Sequence, residues 1–209
     1  NSSGGKAHYQ SCDVTERQQV LDAANNAKEK MGRIDLAVLN AGRGGNFGMD
    51  KIDAETFKNM FAVNTFGILY GLEAFFKIMK EQGSGTIAGV GSMADARGFP
   101  ESAPYCSSKI AAAHLMEAAR VEYQPYGIKV ITVRPGFVKT RMTAKNDFEM
   151  PLLMEPEKFA EKMYKFLEKG NPRIYYPRRM AFLTWLVKCI PAPLYEFLAG
   201  SRYKNRKKK

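Results

Sequence analysis

The sequence predicts an α/β fold, a parallel sheet wound with helices on both faces, and three observations carry that prediction. Ile34-Asp-Leu-Ala-Val-Leu-Asn40 and Ile128-Lys-Val-Ile-Thr-Val-Arg134 are short and almost continuously apolar, as strands become when both faces are covered. Segments with apolar residues at three- and four-residue steps alternate with them. Gly85-Thr-Ile-Ala-Gly-Val-Gly-Ser92 is a further apolar strand that delivers a hydroxyl at its carboxyl end, where open α/β sheets place their ligands.

Taken in order, Asn1-Ser-Ser-Gly-Gly is loop composition, and Lys6 to Cys12 reads as a short strand leading into Asp13-Val14-Thr15. Thr15 can cap the helix that follows. From Glu16 to Met31, Val20, Leu21, Ala24 and Ala27 recur at helical spacing until Gly32 stops the run. The strand Ile34 to Asn40 ends at Asn40-Ala41-Gly42, where glycine lets the backbone approach a ligand closely. Asn40 can also tie neighbouring strands together through its side chain. Asp53 to Lys80 is the longest helical pattern. Asn64 interrupts its seam of Phe57, Phe61, Ile68, Leu72, Phe75 and Met79, and a buried amide without partners would cost about 1–3 kcal/mol. It is either a satisfied core residue or a positioned functional one.

After Ser92 comes the loop Met93 to Glu101, beside the strand end and expected to touch substrate. The next helix starts at Ser102-Ala-Pro-Tyr105-Cys-Ser-Ser-Lys109. Pro104 is tolerated in a first turn, and Tyr105 and Lys109, four apart, project from one face. Ala111, Ala112, Ala113, Ala118 and Ala119 give that helix small faces for close packing. Gly127 ends it before the strand Ile128 to Arg134 and the turn Pro135-Gly136-Phe137-Val138-Lys139-Thr140. Arg141 to Glu155 follows with Met142, Phe148, Met150, Leu152, Leu153 and Met154, an apolar and adaptable stretch. It suits either a lid over a hydrophobic substrate or a cover for the core. An amphipathic helix from Pro156 to Lys169 and a last strand, Ile174 to Tyr176, complete a unit spanning residues 1–176.

Residues 177–209 differ in character. Met180 to Gly200 is apolar and aromatic, but Lys188, Pro191, Pro193 and Glu196 break it, and its longest uncharged run, Met180 to Val187, is too short to span a bilayer. The net charge of +11 concentrates here: Arg202, Lys204, Arg206, Lys207, Lys208 and Lys209 supply six cations in the last nine residues. The excess is thus mostly a tail property with no nucleic-acid motif beside it, which argues against a nucleic-acid partner. Tail solvation or peripheral membrane contact through residues 180–209 accounts for it. Cys12, Cys106 and Cys189 show no metal spacing, and His8 and His114 lack companion ligands, so a reducing, cytoplasmic and metal-free setting is expected.

The pairing of Tyr105 with Lys109 has a chemical use. A free phenol has a pKa of about 10 and is a poor proton donor or acceptor at neutral pH. A cation about 4 Å away is worth on the order of 4 kcal/mol at an effective dielectric near 20, which would bring Tyr105 toward working pH.

Together with Asn40-Ala41-Gly42, Asn64, Ser92 and Pro135-Gly136, this pairing resembles the short-chain dehydrogenase/reductase family from about Ala7 to Tyr176. The resemblance implies a Rossmann-type fold and a nicotinamide-dependent oxidoreductase, using NAD or NADP, that interconverts an alcohol and a carbonyl. Asn64, Ser92, Tyr105 and Lys109 match the catalytic residues. Tyr105 would be the acid/base and Ser92 would bind the substrate oxygen. Lys109 would lower the phenol pKa and hold the nicotinamide ribose, and Asn64 would kink its helix and hold a water in a proton relay to Lys109. Asp13 and Val14 match the adenine contact, though Asp13 could equally serve only to start its helix. Asn40, Ala41 and Gly42 match the cofactor-shaping turn after the strand. Pro135, Gly136, Val138 and Thr140 match the nicotinamide-facing loop, Val138 through its backbone and Thr140 through its hydroxyl. The helices carrying Asn64 and Tyr105 imply a homodimer or homotetramer.

The family's opening G-x-x-x-G-x-G loop is not found in the sequence, so the 209 residues are expected to be part of a longer chain. In the implied sheet order 3-2-1-4-5-6-7, strands one and two lie between the strand of His8 and that of Ile34 to Asn40. Val38 would then sit on an open apolar edge. The competing expectation is a non-catalytic binding or scaffolding protein that cannot hold the cofactor; the intact set of four argues against it.

Overall fold

A computed structural model describes residues 5–207 apart from 46 and 147. The expected opening loop, except for Gly5, and the last two lysines of the tail lie outside the described residues. The elements in order are α1 (Arg17–Met31), β1 (Leu36–Leu39), α2 (Ala54–Phe61), α3 (Gly67–Gln82), β2 (Gly85–Val90), α4 (Ala103–Glu122), β3 (Ile128–Pro135), α5 (Pro156–Glu168), β4 (Arg173–Tyr176), α6 (Arg178–Cys189) and α7 (Ala192–Lys207). The four strands form one parallel sheet in the order β1-β2-β3-β4, with Ala37 opposite Ile87, Ile87 opposite Val130 and Val133 opposite Ile174.

Strand side chains alternate between the two faces, and the core divides accordingly. Ile87 and Val130 join Val20, Ala24, Ile68, Leu72, Ile78, Met79 and Met116 under α1, α3 and α4. Ala88, Ile131, Val133 and Ile174 point the other way, against Phe159, Met163, Phe166 and Leu167 of α5. Helices therefore cover both faces, as the apolar strands require. The long helical pattern begins at Asp53, whose carboxylate accepts from the backbone N–H groups of Glu55 and Thr56, satisfying two donors otherwise left over at a helix start. The stretch Ala54–Gln82 is long and apolar enough to cross a membrane, but its apolar side is the one packed on the sheet.

Several boundaries differ from expectation for local reasons. Lys6 to Cys12, exposed up to Ser11 with Cys12 half-buried against the core, is not a strand. No described strand runs beside it to complete a ladder, and a side-chain hydrogen bond from Asn26 Nδ2 to Gln10 Oε1 (3.0 Å) tethers it to α1. Correspondingly β1 is hydrogen-bonded only to β2, and Leu36 and Val38 stand exposed on its far side. Thr15 does not cap α1. Its N–H and hydroxyl both donate to Asp13 Oδ1 (2.9 and 2.8 Å), and Glu16 takes the cap position without a side-chain bond. The helix of Tyr105 stops at Glu122, five residues before Gly127, and a short turn, Gln124–Tyr126, intervenes. Met180 to Gly200, a broken apolar segment in the sequence, forms parts of two helices separated at Pro191.

Gly127 closes that short turn with φ +72°, and a Cβ added there would overlap the Gly83 carbonyl oxygen. Left-handed strain and a backbone clash combine, so Gly127→Ala should destabilise the fold by about 2–4 kcal/mol. Urea unfolding measures this, and a loss below about 0.5 kcal/mol, the range of ordinary surface substitutions, would show that the turn relaxes freely.

Candidate active site

The site is assembled at the carboxyl ends of β1, β2 and β3. Ser92 follows β2 and its Oγ accepts from the Ala94 N–H at 3.1 Å, starting the short turn Met93–Ala96. Tyr105 and Lys109 occupy the first two turns of α4, with Pro104 at its second position. Asn64 lies in a π-helical turn, Ala62–Phe66, that separates α2 from α3 and in which the Gly67 N–H reaches back to the Ala62 carbonyl. Such wide turns interrupt helices mostly at functional positions.

Asn64 is completely buried and fully committed. Its Oδ1 accepts from the Arg43 N–H at 2.8 Å, while Nδ2 donates to the Arg43 carbonyl and to Ser108 Oγ, both at 2.9 Å. Ser108 Oγ donates in turn to the Tyr105 carbonyl (2.9 Å), and Thr65 Oγ1 donates to the Ser108 carbonyl (2.9 Å). These bonds fasten the loop after β1, the π turn and the helix of Tyr105 to one another. The side-chain amide is thereby occupied with positioning. Ser108 and Thr65 were not singled out from the sequence; the available signal was that both are polar neighbours of residues that were.

Lys109 is 4% exposed, and its Nζ donates to the Val90 carbonyl at 3.0 Å. Burial lowers its pKa from 10.5 to about 8, with the carboxylate of Asp95 opposing the shift. The ammonium stands 5.9 Å from the centre of the Tyr105 ring. The phenol does not titrate near neutrality here: burial raises its pKa, and a hydrogen bond with the Ser92 side chain opposes that rise. The departure from expectation comes first from burial, which disfavours the phenolate, while Lys109 points its charge at a backbone carbonyl. Asp95 is a second feature the sequence reading missed. It forms a buried ion pair with Arg134, 9% and 12% exposed, and its own pKa is raised by burial, against the pull of Arg134.

The predicted cofactor residues gather in two groups. After β1, an added Cβ on Gly42 would lie 3.4 Å from Lys109 Nζ and 3.5 Å from Asn64 Oδ1. That is a backbone cradle which a side chain would fill. Asn40 and Ala41 line a cavity of about 330 Å³ together with Val14, Gly67 and Gly71. Asp13 is exposed beside it, with a lowered pKa owing first to the Thr15 N–H and hydroxyl that it accepts. After β3, Pro135 pairs with Tyr176 and the Gly136 N–H donates to the Tyr176 carbonyl at 2.9 Å. Val138 bridges to Met154, its carbonyl accepts from Thr143 Oγ1 at 2.7 Å, and the Thr140 and Thr143 hydroxyls are 3.3 Å apart. Val138 and Thr140 thus bond within their own loop. Met142 of the following segment lies directly over Gly44, so the apolar stretch does reach the turn after β1.

The sequence pattern of the short chain dehydrogenase family matches residues 1–150. The chain belongs to that family. An uncharacterized oxidoreductase of Myxococcus xanthus is 34% identical over 187 residues, spanning 90% of this chain and 74% of its own length. Levodione reductase of Leifsonia aquatica is 33% identical over 150 residues, 71% of this chain and 56% of the reductase. The crystal structure of a short chain dehydrogenase from Burkholderia cenocepacia in complex with NADP is similar at a TM-score of 0.71 and 30% identity, covering 80% of this chain and 70% of that one.

The low pKa of Lys109 makes a prediction about stability in this family member. The folded state holds fewer protons than the unfolded state between about pH 8 and 10.5, so this residue's contribution to stability rises with pH across that window. Below pH 8 its burial penalty of about 3 kcal/mol is fully present, partly offset by the bond to Val90 at about 1 kcal/mol. Lys109→Met should therefore stabilise the protein at pH 7 by about 1–2 kcal/mol, with the gain gone by pH 10.5. Denaturant unfolding of both proteins at the two pH values measures it; a variant equally destabilised at both would refute the burial penalty.

Proposed function

We propose that the chain is an NAD- or NADP-dependent oxidoreductase that interconverts an alcohol and a carbonyl, with Tyr105 as the acid/base. The reading is carried by one juxtaposition: Ser92 at a strand end, Tyr105 and Lys109 in the first turns of one helix with the buried ammonium 5.9 Å from the Tyr105 ring centre, and the bare backbone of Gly42 beside them. The nicotinamide supplies or accepts the hydride at the substrate carbon. Tyr105 gives the proton to the substrate oxygen during reduction, or takes it during oxidation, and Ser92 holds that oxygen by hydrogen bonding. Lys109 stabilises the phenolate as it forms and holds the cofactor ribose. Asn64, through Arg43 and Ser108, fixes where these groups sit. Asp13, Val14, Asn40 and Ala41 would hold the adenosine end, and Gly42, Pro135, Gly136, Val138 and Thr140 the nicotinamide end.

The substrate is an apolar carbonyl or alcohol. Met142, Phe148, Met150, Leu152 and Leu153 follow the nicotinamide loop, Phe137 packs edge-on against Phe148, and Leu152 and Leu153 stand exposed. Levodione reductase, among the relatives, is named for a ketone. The same reading includes self-association through the outer sides of α3 and α4, where Phe66, Leu69 and Val121 are exposed; sedimentation at increasing protein concentration tests it.

Tyr105→Phe should lower turnover by at least about a hundredfold and leave cofactor affinity nearly unchanged, because only the acid/base hydroxyl is lost. Lys109→Ala should weaken cofactor binding as well. Carbonyl-dependent loss of absorbance by the reduced nicotinamide reports the first and calorimetric titration the second. Retention of more than a tenth of wild-type turnover by Tyr105→Phe would overturn the assignment.

A further inference from the structure

Arg179, Phe182, Leu183 and Leu186, at positions i, i+3, i+4 and i+7, lie on one side of α6, and all are exposed. Leu194, Phe197 and Leu198 repeat the spacing on α7. Phe182 is 58% exposed, Trp185 57% and Phe197 71%, so two consecutive helices each turn an apolar stripe away from the protein. Exposed apolar stripes of this kind mark an interaction site.

The inner sides of the same helices are committed to the body of the protein. Met180 is buried, the Arg97 guanidinium donates to the carbonyls of Val187 (3.3 Å), Lys188 (3.2 Å) and Ile190, and Tyr195 Oη donates to the Gly98 carbonyl at 3.0 Å. The Arg97 group also lies 5.0 Å from the centre of the Tyr195 ring. The outer stripes are thus held in fixed orientation by the loop that follows Ser92.

Length and charge select the occupant. The 12 residues of α6 and 16 of α7 extend about 18 and 24 Å, each short of the roughly 30 Å hydrocarbon core. Together the two helices are long and apolar enough for a span, but they are bent against each other by 115° and form no straight one, which suits helices lying in the interface plane of a bilayer. Residues 177–209 hold nine cations, Arg178, Arg179, Lys188, Arg202, Lys204 and four of the last five residues among them, against one acid, Glu196. A second copy docked on this face would bring like charges together, whereas an anionic lipid surface complements them.

We propose that α6 and α7 dock the protein on an anionic bilayer. Phe182, Leu183, Leu186, Leu194, Phe197 and Leu198 enter the interface, and the flanking cations meet the lipid phosphates. Trp185, stacked on Phe182 at 5.9 Å, sits at headgroup depth, as indoles prefer. Because Arg97 joins this hairpin to the loop after Ser92, an apolar substrate dissolved in lipid would reach the site from the docked face; that extension rests on the catalytic reading, and the docking does not.

Flotation of the full chain with phosphatidylcholine vesicles, with and without phosphatidylglycerol, tests it. At least about tenfold more protein should float with the anionic vesicles, and raising salt from about 0.1 to about 1 M, which shortens the screening length from about 10 to about 3 Å, should reverse most of that. The variant Phe182→Ser, Leu186→Ser, Phe197→Ser should lose about tenfold in flotation while reducing a water-soluble carbonyl at the unmodified rate. Equal flotation with neutral and anionic vesicles overturns the proposal. So does a triple variant that floats normally, and so does one whose only change is a dimer becoming a monomer in sedimentation. Flotation as expected from a protein without oxidoreductase activity would sink the catalytic reading and leave the docking intact.

Discussion

Burying the Lys109 ammonium removes the water that would otherwise solvate it, and the surrounding chain has to supply partners in its place. One is the Val90 carbonyl at the end of β2; a more distant one is the Asp95 carboxylate. The turn after β1 contributes no side chain at Gly42, where a Cβ would come into contact with Lys109 Nζ, and Asn64 close by is satisfied by Arg43 and Ser108. Were the Asn64 amide left unpaired, the same pocket would carry a second desolvation penalty of about 1–3 kcal/mol. The π turn, the glycine and the strand end are therefore parts of one solution to one electrostatic problem.

That problem also explains the behaviour of Tyr105. In the protein without bound ligands, burial outweighs every favourable partner of the phenolate, and Lys109 is turned toward backbone. A proton donor with a raised pKa stays protonated, which is the state needed to reduce a carbonyl. In the mechanism proposed above, Lys109 would be drawn toward the phenolate as negative charge develops, concentrating the stabilisation where the charge appears rather than in the resting state.

Much of this was legible in the chain because it is local. The four-residue step from Tyr105 to Lys109, the polar interruption at Asn64 and the hydroxyl at the end of the β2 strand each follow from periodicity within a single element. The boundaries that differed depend on something the sequence cannot carry by itself. Lys6 to Cys12 has strand-like composition, but a strand exists only through its neighbour, and none lies beside it among the described residues. Thr15 has capping chemistry, yet the adjacent Asp13 carboxylate, a stronger acceptor, takes its N–H and hydroxyl. Asp95 and Arg134 are 39 positions apart, and nothing in either segment announces a buried ion pair. The direction of Lys109 and the burial that raises the Tyr105 pKa are likewise tertiary properties that i, i+4 spacing does not determine.

The segment from Ser92 to Gly98 joins these levels. Its first residue starts the turn Met93–Ala96 by accepting from the Ala94 N–H, Asp95 pairs with Arg134 at the end of β3, and Arg97 and Gly98 grip α6 and α7. A buried ion pair adds little net stability because both charges lose their hydration. What it supplies here is fixed geometry, a rigid link between the strand ends and the loop. With Arg134 anchored and Arg97 reaching the helix carbonyls a few residues away, the hairpin cannot shift as a unit without disturbing the residues next to Ser92. The inner sides of α6 and α7 and the end of β2 are thus joined through the seven residues from Ser92 to Gly98.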